Sequence, residues 1–89
     1  MVMREKTVET ALINAVKAAG GFTIKLVALH FAGIPDRLCL LPGGRAIFVE
    51  VKAPGKVPTP RQLWVHQRLK KLGFNVLVID NTEDAKNVK

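Results

Sequence analysis

Along residues 4–19, REKTVETALINAVKAA, the apolar positions Val8, Ala11, Leu12, Ala15, Val16 and Ala19 recur at helical spacing, and Gly20-Gly21 ends the run. The spacing predicts an amphipathic first helix. Residues 22–29, FTIKLVAL, are branched and apolar and predict a strand. Gly33-Ile34-Pro35 then breaks the pattern before a second strand over about 36–41. Pro42-Gly43-Gly44-Arg45 predicts a hairpin turn into a third strand, AIFVEVK, over 46–52. The following APGKVPTP, with three prolines and a glycine, predicts an irregular loop.

Helical signals return at Thr59-Pro60-Arg61-Gln62: Thr59 suits the cap, Pro60 the first helical position, and Gln62 the third position of a capping box. This helix runs through LWVHQRLKKL and stops at Gly73. Phe74 to Asp80, FNVLVID, is almost wholly apolar and predicts a strand covered on both faces, and Thr82 suits the cap of a short final helix. The expected order is α-β-β-β-α-β with a last helical turn, without internal repeats. At 89 residues the chain has room for one domain with a small core, so a partner subunit is plausible on size alone.

Charge narrows the partners. Fourteen Lys and Arg against seven Asp and Glu give a net charge of +7, which favours polyanions, nucleic acid first. A membrane partner is not expected: no apolar run approaches the roughly 20 residues of a bilayer span, and MVMREKTVE lacks the apolar core of a signal peptide. Cys39, the single cysteine, lies in the apolar run LCLL and is expected as a small core residue of a cytoplasmic protein.

Among the scarce acidic residues, Asp36 opens the second strand, and Glu50 lies near the end of the third with Lys52. The hairpin turn brings them side by side. Their facing depends on the loop. A three-residue loop Gly43-Gly44-Arg45 pairs positions adding to 88 and turns Asp36 toward the side of Glu50 and Lys52, whereas a two- or four-residue loop pairs positions adding to 87 and turns it away. A shared metal site requires the first arrangement, or a bulge that restores it. Two carboxylates and a lysine at one end of a sheet suit phosphodiester hydrolysis with Mg²⁺ or Mn²⁺, the ammonium steadying developing negative charge. The same residues also admit a structural reading, with Asp36 capping a turn and Glu50 and Lys52 on a solvated edge strand.

The succession Gly33-Ile34-Pro35-Asp36, Leu40-Leu41-Pro42-Gly43-Gly44 and Val49-Glu50-Val51-Lys52 resembles the PD-(D/E)xK nuclease signature in the form carried by virus-type replication-repair nuclease (VRR-NUC) domains. The resemblance extends from the first helix to FNVLVID. It implies a restriction-endonuclease-like α/β fold, a mixed central sheet flanked by helices, with residues 1–89 forming one nuclease domain. It implies that Asp36 and Glu50 bind the metal, that the Val51 carbonyl completes the site, and that Lys52 is the catalytic lysine. A first-helix glutamate commonly contributes in such folds. Glu9 is expected in that role, because its distance to the helix-ending glycines is similar in archaeal Holliday-junction resolvases, while Glu5 is expected to favour the positive helix N-terminus. Gln62 matches a glutamine that related nucleases hold near the site, although its capping box also explains it.

Lys56, Arg61 and Arg68 follow the active-site strand and suit phosphate contact, as do Lys70 and Lys71, and the 53–60 loop suits a flexible clamp on a branch point. Lys25 either approaches a phosphate or is a solvated strand residue. His30 is expected to border the cleft, His66 to lie on a helix surface, and Trp64 to be core or a subunit contact rather than a base-stacking platform; the histidines lack zinc-site spacing. The implied activity is metal-dependent, structure-specific cleavage of DNA, by a homodimeric Holliday-junction resolvase of phage or prophage origin. A nuclease or nickase on flaps, gaps or duplex ends is one alternative, and a catalytically inactive basic DNA-binding module is another.

Overall fold

The computed structural model describes residues 4–27 and 31–89, so the end of the expected first strand and the position of His30 lie outside the described residues. The elements follow the expected order: α1 (Glu5–Ala18), β1 (Phe22–Lys25), β2 (Arg37–Leu41), β3 (Arg45–Val51), α2 (Pro60–Lys71), β4 (Asn75–Ile79) and α3 (Thr82–Lys86). They build one mixed sheet in the order β1-β2-β3-β4. β1, β2 and β3 are antiparallel neighbours, and β4 runs parallel to β3. A parallel pair needs a crossover, which the 52–59 connection and α2 supply.

The helical stripe read from the sequence is the one that packs. Val8, Leu12 and Val16 of α1 are fully buried against Cys39, Val49 and Val51 of the sheet, and Ala85 and Val88 close the same core. Burial pushes the Cys39 thiol up to about 11, which suits an inert core residue rather than a nucleophile. Gly21 lets the end of α1 meet β2 closely: a Cβ there would lie 2.0 Å from the Leu40 carbonyl oxygen.

Two expectations about strands change. The hairpin pairs Leu41 with Arg45, so its loop is Pro42-Gly43-Gly44 and paired positions add to 86 rather than 88. Gly43 and Gly44 take φ of +85° and +73°, left-handed values that glycine adopts freely, whereas Arg45 would pay a steric cost there. Because the loop still has three residues, the facing of every side chain is preserved. β4, expected to be covered on both faces, is one of the two edge strands; Leu77 and Val78 are exposed while Val76 and Ile79 are buried.

Candidate active site

Continuing the β2–β3 register by one residue beyond the Arg37–Val49 pair sets Asp36 opposite Glu50. The Val51 N–H donates to Asp36 Oδ2 at 2.8 Å, and the Leu26 N–H donates to the Asp36 carbonyl at 2.8 Å. The segment before Asp36 is seated on α2. At Gly33, with φ +90°, a Cβ would come within 3.0 Å of the Arg61 carbonyl oxygen and the Val65 side chain, so only glycine fits this approach comfortably.

Glu50 and His66 are the two charged or polar side chains buried among the described residues, at 1% and 3% exposure. Alternation along β3 turns Glu50 away from the α1 core and toward α2. Its Oε2 accepts from Gln62 Nε2 at 3.2 Å and lies 3.4 Å from Lys52 Nζ. Its Oε1 faces His66 Nε2 at 3.5 Å, and neither of these atoms has a hydrogen-bond partner. Burial is the main force pushing the Glu50 carboxyl up to about 7; the neighbouring Asp36 adds to it and Lys52 opposes it. Burial also lowers the His66 pKa, helped by the charges of Lys70 and Lys52.

Gln62 both completes the capping box and reaches Glu50. Its backbone N–H donates to Thr59 Oγ1 at 3.2 Å and its Oε1 accepts from the Thr59 N–H at 2.9 Å, completing the capping box. The cap occupies the amide oxygen and leaves Nε2 to meet Glu50. The helix start therefore orients a site residue.

Other expected residues lie elsewhere. Glu9 is not among the partners of Glu50: its Oε2 accepts from Arg37 Nε at 3.2 Å, and Arg37 Nη1 donates to Thr23 Oγ1 at 3.2 Å. Arg37 points to the α1 face, one residue along from Asp36, and holds the Glu9 carboxylate there. Lys25 pairs with Arg37 and shares that face, away from Glu50. Lys56, Arg61 and Arg68 are exposed. Asp80 Oδ2 accepts from the Gly55 N–H at 3.1 Å, so the loop expected as a flexible clamp is tethered near its tip. Trp64, expected as core or a subunit contact, is 47% exposed and outside the core cluster.

His66 corrects the expectation of a helix-surface residue. The signal was present in its spacing: residues four apart share a helix face, so a Gln62 turned to the sheet carries His66 with it.

Among the described residues, no group of three His, Cys, Asp or Glu side chains is arranged to hold a metal by itself. The donors nonetheless fit a hard divalent cation. Two adjacent carboxylates, one with a buried and unpartnered oxygen, match ions that take one or two protein carboxylates and complete their shell with water and phosphate oxygens.

No family model matches this chain. A phage protein named "Putative nuclease p44", from Acyrthosiphon pisum secondary endosymbiont phage 1, is 46% identical over 82 residues, covering 92% of this chain and 88% of that protein. A solved structure described as "VRR_NUC domain" superposes with a TM-score of 0.86 at 34% identity, covering 94% of this chain and 91% of the other. A second, described as "VRR_NUC domain protein", gives a TM-score of 0.74 at 20% identity over 99% of this chain and 86% of that one, a likeness of fold.

Proposed function

The chain belongs to the VRR-NUC nuclease family, and from that premise we propose a metal-dependent, structure-specific DNA endonuclease that acts as a homodimer on four-way junctions. One observation carries the proposal: Asp36, Glu50 and Lys52 lie together at one end of the sheet, with Gln62 and His66 brought against Glu50 from α2. A degenerate binding module would usually have lost one of the first three.

In this reading Asp36, Glu50 and the Val51 carbonyl would hold Mg²⁺ or Mn²⁺, which would supply polarisation of the scissile phosphate and a lowered pKa for a bound water. Lys52, kept in place by Glu50 Oε2, steadies negative charge developing on the phosphate or orients the water. Gln62 holds Glu50 in position, and His66 backs the same carboxylate from the interior. Glu9 is left out of this set because its carboxylate is committed to Arg37, and Lys25 because it lies on the opposite face. Lys56, Arg61 and Arg68 neutralise backbone phosphates, so selectivity comes from DNA shape rather than sequence.

A four-way junction offers two strands to cut, and a two-fold partner is the simplest source of a second site. The dimer also accounts for apolar side chains left in solvent by the outer strand β1, where Phe22 is 59% exposed and Ile24 is exposed beside it. Among the described residues no helix is long and apolar enough to cross a membrane. A phage relative supports action on DNA in a host cytoplasm.

The test is cleavage of labelled four-way junction, flap and plain duplex DNA with Mg²⁺, Mn²⁺ or EDTA, using Lys52→Ala as control. Paired cuts near the junction centre that need both metal and Lys52 are expected. Cuts confined to flaps or ends would replace the resolvase reading with the nickase alternative. Metal-independent binding without cleavage would replace both with a DNA-binding module.

A further inference from the structure

The helix that delivers Gln62 and His66 to Glu50 carries a second stripe on another side. Arg61, Trp64, Arg68 and Lys71 recur three to four residues apart, and each is exposed. The Arg61 guanidinium lies 4.7 Å from the Trp64 ring centroid and the Arg68 guanidinium 4.9 Å from it. Arg61 also lies 5.8 Å from the exposed Phe31 ring, and its Nε donates to the Ala32 carbonyl at 3.1 Å. α2, PRQLWVHQRLKK, contains no acidic residue. A large aromatic is therefore kept at the surface between cations, where the packing of the core does not need it.

We infer that Phe31, Arg61, Trp64 and Arg68 form a platform for an unpaired nucleobase on the solvent side of α2, the helix whose inner side delivers Gln62 and His66 to Glu50. Every base has a π face that stacks on an indole whatever its identity, and guanidinium groups serve both stacking and phosphate contact. A cation over an exposed ring is a weaker contact than a stacked base. An incoming base thus displaces a guanidinium from Trp64, and the freed arginine turns to a neighbouring phosphate. The positive charge of the stripe complements a DNA strand along its whole length. The stripe lies on the same helix as Gln62, whose amide donates to Glu50 at 3.2 Å, so the platform and the candidate site share one rigid element. The inference rests on the DNA-nuclease reading and adds that the DNA taken carries unpaired bases, as at a branch point.

Trp64 is the only tryptophan, so its emission reports on this surface alone. The full chain is titrated in EDTA with a short single strand, a duplex bearing a short unpaired flap, and a blunt duplex, following Trp64 emission and the anisotropy of labelled DNA together. Quenching by the two DNAs with unpaired bases, and little by the blunt duplex, is expected. Trp64→Leu should weaken binding of the flapped DNA roughly tenfold with little change for blunt duplex, and Trp64→Phe should lose less. DNA binding that leaves Trp64 emission unchanged, or equal losses on both DNAs, overturns the platform and leaves the nuclease reading intact. Failure to bind any DNA overturns both. A shift of emission with protein concentration in the absence of DNA assigns the stripe to a subunit contact and also overturns the platform.

Discussion

Glu50 holds its proton more tightly in the folded chain than in the unfolded one, since its pKa rises from 4.5 to about 7. The folded state therefore binds more protons between those values, and metal-free stability declines as pH rises from about 4.5 through about 7. The decline should total on the order of 3 kcal/mol at most. Glu50→Gln keeps the shape without the charge, so its melting temperature in EDTA should vary less with pH across that range and exceed that of the parent at high pH. Mg²⁺ or Mn²⁺ should raise the melting temperature of the parent at high pH and not that of Glu50→Gln. His66→Leu tests the interior side of the same carboxylate. With the ring nitrogen gone, Glu50 Oε1 loses its neighbour, and the metal concentration for half-maximal cleavage should rise about 10–100-fold if Glu50 is the proposed ligand, the usual cost of removing a residue that orients one. His66→Gln should recover part of that loss, and an unchanged metal requirement in both variants would remove His66 from the site.

At the scale of elements, the cap of α2 and the active site share one side chain. Thr59→Ala removes the hydroxyl that accepts from the Gln62 N–H and should cost about 1 kcal/mol in chemical denaturation. Because the cap also orients the Gln62 amide toward Glu50, cleavage should fall under conditions where the variant is fully folded; full activity would separate cap from catalysis. The helix stripe of α1, the capping box and the strand alternation were all legible in the residues. The edge position of β4 was not: FNVLVID is almost wholly apolar, and such a run does not say whether neighbours exist on one side or two. The hairpin shows how a local error can leave the larger result intact. Moving a three-residue loop by one position changes every pairing but no side chain's facing, so Asp36 still meets Glu50.

For the whole molecule, the net charge of +7 and the basic α2 should make DNA affinity steeply dependent on salt. If Lys56, Arg61, Arg68, Lys70 and Lys71 each neutralise one phosphate, the slope of log K against log salt concentration for duplex binding should be roughly −4 to −5. Lys71→Ala should reduce it by about 1. A slope near zero would exclude phosphate contact as the basis of binding. The order of elements, the α1 stripe, the buried Cys39 and the adjacency of Asp36 with Glu50 and Lys52 were determined by the sequence itself, because periodicity, turn residues and strand alternation are local properties. The burial of His66, the exposure of Trp64 and the pairing of Glu9 with Arg37 were decided only by the tertiary structure. α2 has apolar residues on more than one side, with Leu63 and Trp64 in solvent and Val65 buried, so its own pattern does not select an inner face. The sheet makes that selection, through the approach of Gly33 to Arg61 and Val65 and the contact of Gln62 with Glu50, between residues far apart in the chain.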